Sequence, residues 1–227
     1  MMNVSKTAIL IFANSAKYEA SKKRFYKAEL LFDELNASIE NKVQQTKIPY
    51  FIITEKEQIG TKFGQRFSNA IQSIFDKGYD SIITLGNDTP HIQPKDIIEA
   101  YQNLASNKTT IGASHDGGFY LLGISKTNFD QLNFQDLPWQ TSSLFGTITK
   151  NFLAKNIQFS RLKSLIDIDN LRDAEKVLHH SHFISKVLKL ILISVFYIDS
   201  KINFHLFSFK NDIYRLYYYN KGSPCYN

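Results

Sequence analysis

Ser81-Ile-Ile-Thr-Leu-Gly-Asn-Asp-Thr-Pro90 is the stretch on which the reading of the fold turns. Its first half, Ser81 to Leu85, is short, apolar and β-branched and stops at small and acidic residues, the pattern of a buried strand in a parallel sheet. Gly86 to Pro90 is then its exit loop. Ligands of open α/β sheets bind beyond the carboxyl ends of the strands, so Asp88 is expected at the mouth of a site. A carboxylate there suits a hard cation, magnesium or manganese, that arrives carrying a phosphate. Asp88 could equally close an Asx-turn ahead of Pro90, and this stretch alone leaves both open.

Upstream, Thr7 to Phe12 reads as the first strand and Ala13 to Lys23 as a polar loop, although Asn14 and Lys17 to Ala20 have helical character. Phe25, Ala28, Leu31, Phe32, Leu35 and Ile39 fall at helical spacing, predicting an amphipathic helix over 25–39 with one face on a sheet. Pro49 to Ile53 is a second strand and Gly60 to Gly64 a loop. Phe67, Ala70, Ile71, Ile74 and Phe75 mark a helix that Gly78 ends.

Downstream, Pro94 opens a helix with a buried stripe of Ile97, Ile98, Tyr101 and Leu104. Strands at Thr109 to Ala113 and Phe119 to Ile124, a helix at Ser142 to Ala154, a strand at Ile157 to Leu162 and a helix at Asn170 to Leu178 complete the pattern. This alternation predicts an α/β domain over residues 7–178, with a mostly parallel sheet covered by helices on both faces.

Residues 179–227 differ in character and are expected to form an apolar, aromatic appendage packed on the domain or a partner. Ile184 to Ile198 is almost wholly apolar, broken by Lys186 and Lys189, and shorter than the about twenty residues that a membrane span needs. The run 184–198 could make peripheral membrane contact as an interfacial helix, or a homodimer contact; packing on the same domain or on a second copy is the preferred expectation. Ile202, Phe204 and Leu206 alternate as in a small strand.

Composition narrows the function. The formal charge of +6 comes from scattered lysines rather than one arginine-rich block, so the expectation is no nucleic acid, with a field that suits small phosphorylated ligands. Cys225, the only cysteine, excludes an intrachain disulfide and a multi-cysteine zinc site and fits a reducing cytoplasm. Met1 to Lys6 lacks a signal-peptide pattern, which also points to a cytoplasmic protein.

Two more segments could carry chemistry. In Asp167-Ile-Asp169-Asn170 the acids alternate, so in an extended segment only one of them faces a site. Asp169 could share a divalent ion with Asp88, or it or Asn170 could cap the helix that follows, and spacing alone favours the cap. In His115-Asp-Gly-Gly-Phe-Tyr120 the glycines permit close approach to a ligand and Asp116 could orient or deprotonate a hydroxyl; Asp-Gly and Gly-Gly are also ordinary hairpin turns. His91 and His115 lack a third zinc ligand at a recognised spacing and read as supporting or surface groups.

Leu85-Gly-Asn-Asp-Thr-Pro90, Asp116-Gly-Gly-Phe-Tyr-Leu-Leu-Gly123, Leu137-Pro-Trp-Gln-Thr141 and Asp167-Ile-Asp169 occur in that order, with Gln58-Ile-Gly60 and Phe63-Gly-Gln-Arg66 as a weaker fifth motif. So placed, they resemble the motif series of the glycosyltransferase-A-like proteins called radical-SAM/selenodomain-associated transferases, over about residues 7–178. The resemblance implies the nucleotide-diphospho-sugar transferase fold and a metal-dependent transferase using a nucleotide-activated donor, most readily a nucleotide sugar. It implies a magnesium or manganese ion on Asp88 and Asp169, which displaces the capping expectation for Asp169. It also implies donor-nucleotide contacts from Asn14, Lys22, Arg24, Gly64, Arg66 and Asn87, Asp116 as the catalytic group, and a small-molecule acceptor bordered by Gly117, Gly118 and Trp139.

Two departures bear on that likeness. The family's first loop carries prolines, a glycine and a Lys-x-Arg; here 13–24 has no glycine or proline, and Lys22 and Arg24 stand where the basic pair would fall. His91 stands where an acid often follows the Asp-x-Pro. The alternatives are a nucleotidyltransferase that releases pyrophosphate from a nucleoside triphosphate, and a non-catalytic binding module derived from the same fold.

Overall fold

Six strands, β1 (Thr7–Phe12), β2 (Tyr50–Ile53), β3 (Ser81–Leu85), β4 (Thr109–Ser114), β5 (Phe119–Ser125) and β6 (Phe159–Leu165), form one sheet in the order β2-β1-β3-β5-β4-β6. The computed structural model describes residues 6–23 and 25–195, so Arg24, the Ile202 to Leu206 alternation and Cys225 lie outside it, as does the end of the 184–198 run. β1 runs parallel to β2 and β3, and β4 parallel to β6. β5 is antiparallel to both of its neighbours, β3 and β4. Its reversal has a local cause: the four residues His115 to Gly118 that join it to β4 are too few for a crossover and make a hairpin instead.

Every residue of β3 is buried, because both faces of the sheet are covered. Ala8, Leu10 and Ile82 pack to one side with Phe67, Ile71 and Ile74 of α3 (Phe63–Phe75) and Ile148 and Phe152 of α6 (Leu144–Ala154). Ile9, Ile11, Ile83 and Leu85 pack to the other with Ile39 and Val43 of α2 (Ala28–Thr46) and Ile97, Ala100 and Leu104 of α4 (Pro94–Ala105). The period of two in the strands thus becomes two cores.

Several boundaries move. α1 (Ala16–Lys22) occupies most of the expected first loop, started by Ser15, whose hydroxyl accepts from the Tyr18 amide. α2 starts at Ala28 rather than Phe25, after Lys27 in a left-handed conformation, and runs seven residues past Ile39. α3 begins inside the expected 60–64 loop, where the Gln65 side chain accepts from the Thr61 and Lys62 amides. In α4 the apolar stripe is Ile97, Ala100 and Leu104, while Ile98, expected in it, is exposed. A short helix, α5 (Lys126–Asp130), was not foreseen.

After α7 (Leu171–His179) and a 3-10 turn, residues 186–195 are helical and are called α8. Leu188, Ile191, Leu192 and Val195 join Ala16, Leu31, Phe32, Leu35, Ile168 and Val177 in a third cluster, while Val187, Leu190 and Ile193 stay exposed. Among the described residues, no helix is long and apolar enough to cross a membrane.

Candidate functional site

The strand directions bring five chain connections to one edge of the sheet. β1, β2, β3, β4 and β6 all end there, so Asn14 and Ser15, Thr54 and Glu55, the Gly86–Pro90 loop, the His115–Gly118 turn and the 166–170 segment become neighbours. Backbone bonds lock them together: the Ile168 amide donates to the Asp88 carbonyl (2.9 Å) and the His115 amide to the Leu165 carbonyl (3.0 Å).

Asp88 and Asp169 converge on one cation, and that cation is Lys23. Its ammonium lies 2.7 Å from Asp169 Oδ1, 3.9 Å from Asp88 Oδ2 and 3.8 Å from Glu19 Oε2, and donates to the Ile168 carbonyl at 3.0 Å. It also sits 4.9 Å above the Phe32 ring. Burial pulls its pKa down, but Asp88 and Asp169 more than offset that, leaving it above its ordinary value. Burial pushes the Asp88 carboxyl up, with Lys23 opposing the rise and Asp169 adding to it.

Asp116, Asp167 and Asp169 form a close acid group, with one oxygen from each within 4.8 Å of the others. Asp167 therefore faces the site together with Asp169, contrary to the alternation expected of them. β6 stops at Leu165, so 166–170 is not a strand and the period of two does not apply. Burial, then Asp88 and Asp116, push the Asp167 carboxyl up to about 7. Asn170, not Asp169, caps α7 by accepting from the Arg172 and Asp173 amides, which leaves Asp169 for the site.

Asp116 Oδ1 accepts from the Ser114 hydroxyl and the Gly118 amide, so its carboxylate is held rigidly. Gly117 has φ +95° and lies directly against the Ser142 backbone, so a side chain there would be both strained and obstructed. The turn is a hairpin and an acid platform at once.

The other expected contacts have varied surroundings. Asn14 donates to Glu19 (2.6 Å), and buried Asn87 donates to Asn36 (2.7 Å), whose own amide donates to the Asn14 carbonyl (3.3 Å). Lys22 is exposed, 5.5 Å over the Tyr18 ring, while its neighbour Lys23 reaches the acids. Arg66 donates to Gln58 and to the Thr61 carbonyl and so braces the 58–61 loop. Gly64, expected beside a nucleotide, is instead buried against Trp139 and the Gln135 carbonyl; its missing side chain makes room for an indole. Trp139 donates to the Phe134 carbonyl and packs among Phe63, Phe67 and Phe119.

Behind the Asp88 loop, buried His91 meets the His180 carbonyl through Nε2 (2.9 Å), and Lys42 donates to the Pro90 carbonyl (2.7 Å). Burial draws Lys42 down to about 8, Asp96 opposing. The folded amine thus holds its proton less tightly than the unfolded one, at 10.5, so folding releases protons between those values and stability rises with pH across that window. Lys42→Met should lack the rise: in urea melts at about pH 7.5 and about pH 9.5, wild type should gain on the variant at the higher pH. An equal difference at both pH values would contradict a buried ammonium.

The family described as uncharacterized proteins conserved in bacteria, DUF2064, matches residues 25–141, more than half of the chain. This chain belongs to DUF2064. No curated protein matches it. Among solved structures, the DUF2064 chain is similar to a protein from Desulfovibrio desulfuricans G20 provisionally described as a nucleotide-diphospho-sugar transferase. Identity is 21%, with 84% of this chain and 95% of that chain covered, at a TM-score of 0.72. It is also similar to a cytidylyltransferase from Leptospira borgpetersenii serovar Hardjo-bovis (18% identity, 87% and 96% covered, TM-score 0.49). The first likeness establishes the nucleotide-diphospho-sugar transferase fold for this DUF2064 chain.

Three participants escaped the sequence reading: Lys23, Glu55 and Asn36. Lys23 had a usable signal, since Glu19 lies four residues before it, an i,i+4 pair once 16–22 is helical. Glu55 accepts from the Ser15 amide (2.7 Å) and hydroxyl (2.6 Å), and Asn36 links Asn14 to Asn87; both contacts span sequence gaps with no local signature.

Proposed function

We propose that this protein is a metal-dependent transferase using a nucleotide-activated donor, with a nucleotide sugar as the donor class and a small molecule as acceptor. The observation that carries the reading is the convergence of Asp88, Asp116, Asp167 and Asp169, from three separate connections, at the ligand-binding edge of this fold.

The donor set suits magnesium or manganese: all oxygen and anionic, with one carboxylate oxygen each of Asp116, Asp167 and Asp169 within 4.8 Å of the others, and Asp88 joined to Asp169 through Lys23. Asp88 and Asp169, with Asp167 beside them, are the residues to hold it. When bound, such an ion supplies positive charge to a departing diphosphate. Asp116, its orientation set by Ser114 and Gly118, orients an acceptor hydroxyl or takes its proton. Gly117, Gly118 and Trp139 border the acceptor, while Lys22, Arg24 and Arg66 offset phosphate charge. These donors and the single cysteine fit a cytoplasmic enzyme.

A non-catalytic binding module is the second reading. It is favoured by the Glu55 carboxylate on Ser15, which already engages the first-loop donors that a phosphate would use. Incubation with panels of nucleotide sugars and nucleoside triphosphates, with and without manganese, separates the readings. The expected product is a nucleoside diphosphate that forms only with metal. Pyrophosphate instead would identify nucleotidyl transfer. No product, and no nucleotide that raises the melting temperature, would leave the binding module.

A further inference from the structure

The Lys23 ammonium lies against both Asp88 and Asp169, in the way of an ion that would bridge those two carboxylates. It is 2.7 and 3.9 Å from their oxygens, is fixed by the Ile168 carbonyl at 3.0 Å and by Glu19 at 3.8 Å, and rests on Phe32. These contacts come from a C-cap residue whose own amide closes onto the Glu19 carbonyl, so the side chain is delivered by α1 rather than by a free arm. We propose that Lys23 is a tethered counter-ion that competes with the divalent metal, so that metal occupancy requires the ammonium to leave the acids. This rests on the metal-dependent reading above.

Three physical points support it. An ammonium and a divalent ion cannot share the same carboxylate oxygens at these distances without strong like-charge repulsion. The positive charge is equally needed in the metal-free protein, where Asp88, Asp167 and Asp169 would otherwise repel one another. Finally, a ligand that binds only the lysine-out arrangement pays for the displacement in affinity, so removing the competitor tightens binding without adding any metal contact.

The test is a manganese titration of the full chain without nucleotide, following free Mn2+ by electron paramagnetic resonance. Lys23→Met keeps the aliphatic stem over Phe32 and removes the charge; it should bind Mn2+ about tenfold or more tighter than wild type. Lys23→Arg keeps the charge and should bind as wild type does. If the methionine variant melts too early to titrate, Lys23→Gln, which retains a donor for the Ile168 carbonyl, replaces it with the same expectation. Equal or weaker binding by the neutral variants, with measurable binding by wild type, overturns the competition and leaves the transferase reading standing. Failure of all the proteins to bind Mn2+ overturns both.

Discussion

Asp88→Asn is expected to lower metal-dependent turnover by roughly a thousandfold or more, the scale of several kcal/mol of transition-state charge stabilisation. The substitution keeps the shape of the loop but withdraws one of the three carboxylate charges that meet at Lys23. Stability should move the other way or not at all. Burial raises the pKa of Asp88, so the carboxylate is held at a cost that the amide does not carry, and the metal-free variant should melt at or above the wild-type temperature. Steady-state product release together with a thermal melt checks both halves. Full activity in the variant would remove Asp88 from the chemistry; a large loss of stability would make it a structural residue.

The second large effect lies one layer below the acids. Phe32 is fully buried in the cluster of α1, α2, α7 and α8, with the Lys23 ammonium 4.9 Å above its ring. Phe32→Ala removes a large side chain that the surrounding helices can only partly collapse upon, and should lower the unfolding free energy by about 3–5 kcal/mol in urea melts. Phe32→Leu should lose clearly less, because it refills most of the volume. The same truncation removes the floor under Lys23, so in the surviving folded protein Mn2+ should bind differently from wild type. A loss below about 1 kcal/mol would mean that the helices do not pack on Phe32 as described.

Much of the frame was legible in local patterns. The short, β-branched Ser81 to Leu85 run became a strand buried on both faces, and Pro94 opened its helix, because burial period and a locked φ are properties of a few adjacent residues. Where a short-range signal was diluted, the reading slipped: Ser15 starts a helix whose polar composition looked like a loop. β5 reversed direction because a four-residue connection cannot cross the sheet. The likeness in motifs reached the acids of the edge, but not what each acid touches.

The sequence by itself determined the α/β alternation, the two-sided core and the residue types available at the sheet edge, since each depends on spacing within one element or on composition. Only the tertiary structure decided that Asn170 caps α7 so that Asp169 is left for the site, that Asp167 faces the same way as Asp169, and that Lys23 rather than Lys22 reaches them. Those outcomes depend on where β6 ends and on how α1 is phased against the sheet. Electrostatic partners are chosen by distance in space, and a gap of 145 residues between Lys23 and Ile168 carries no trace of it along the chain.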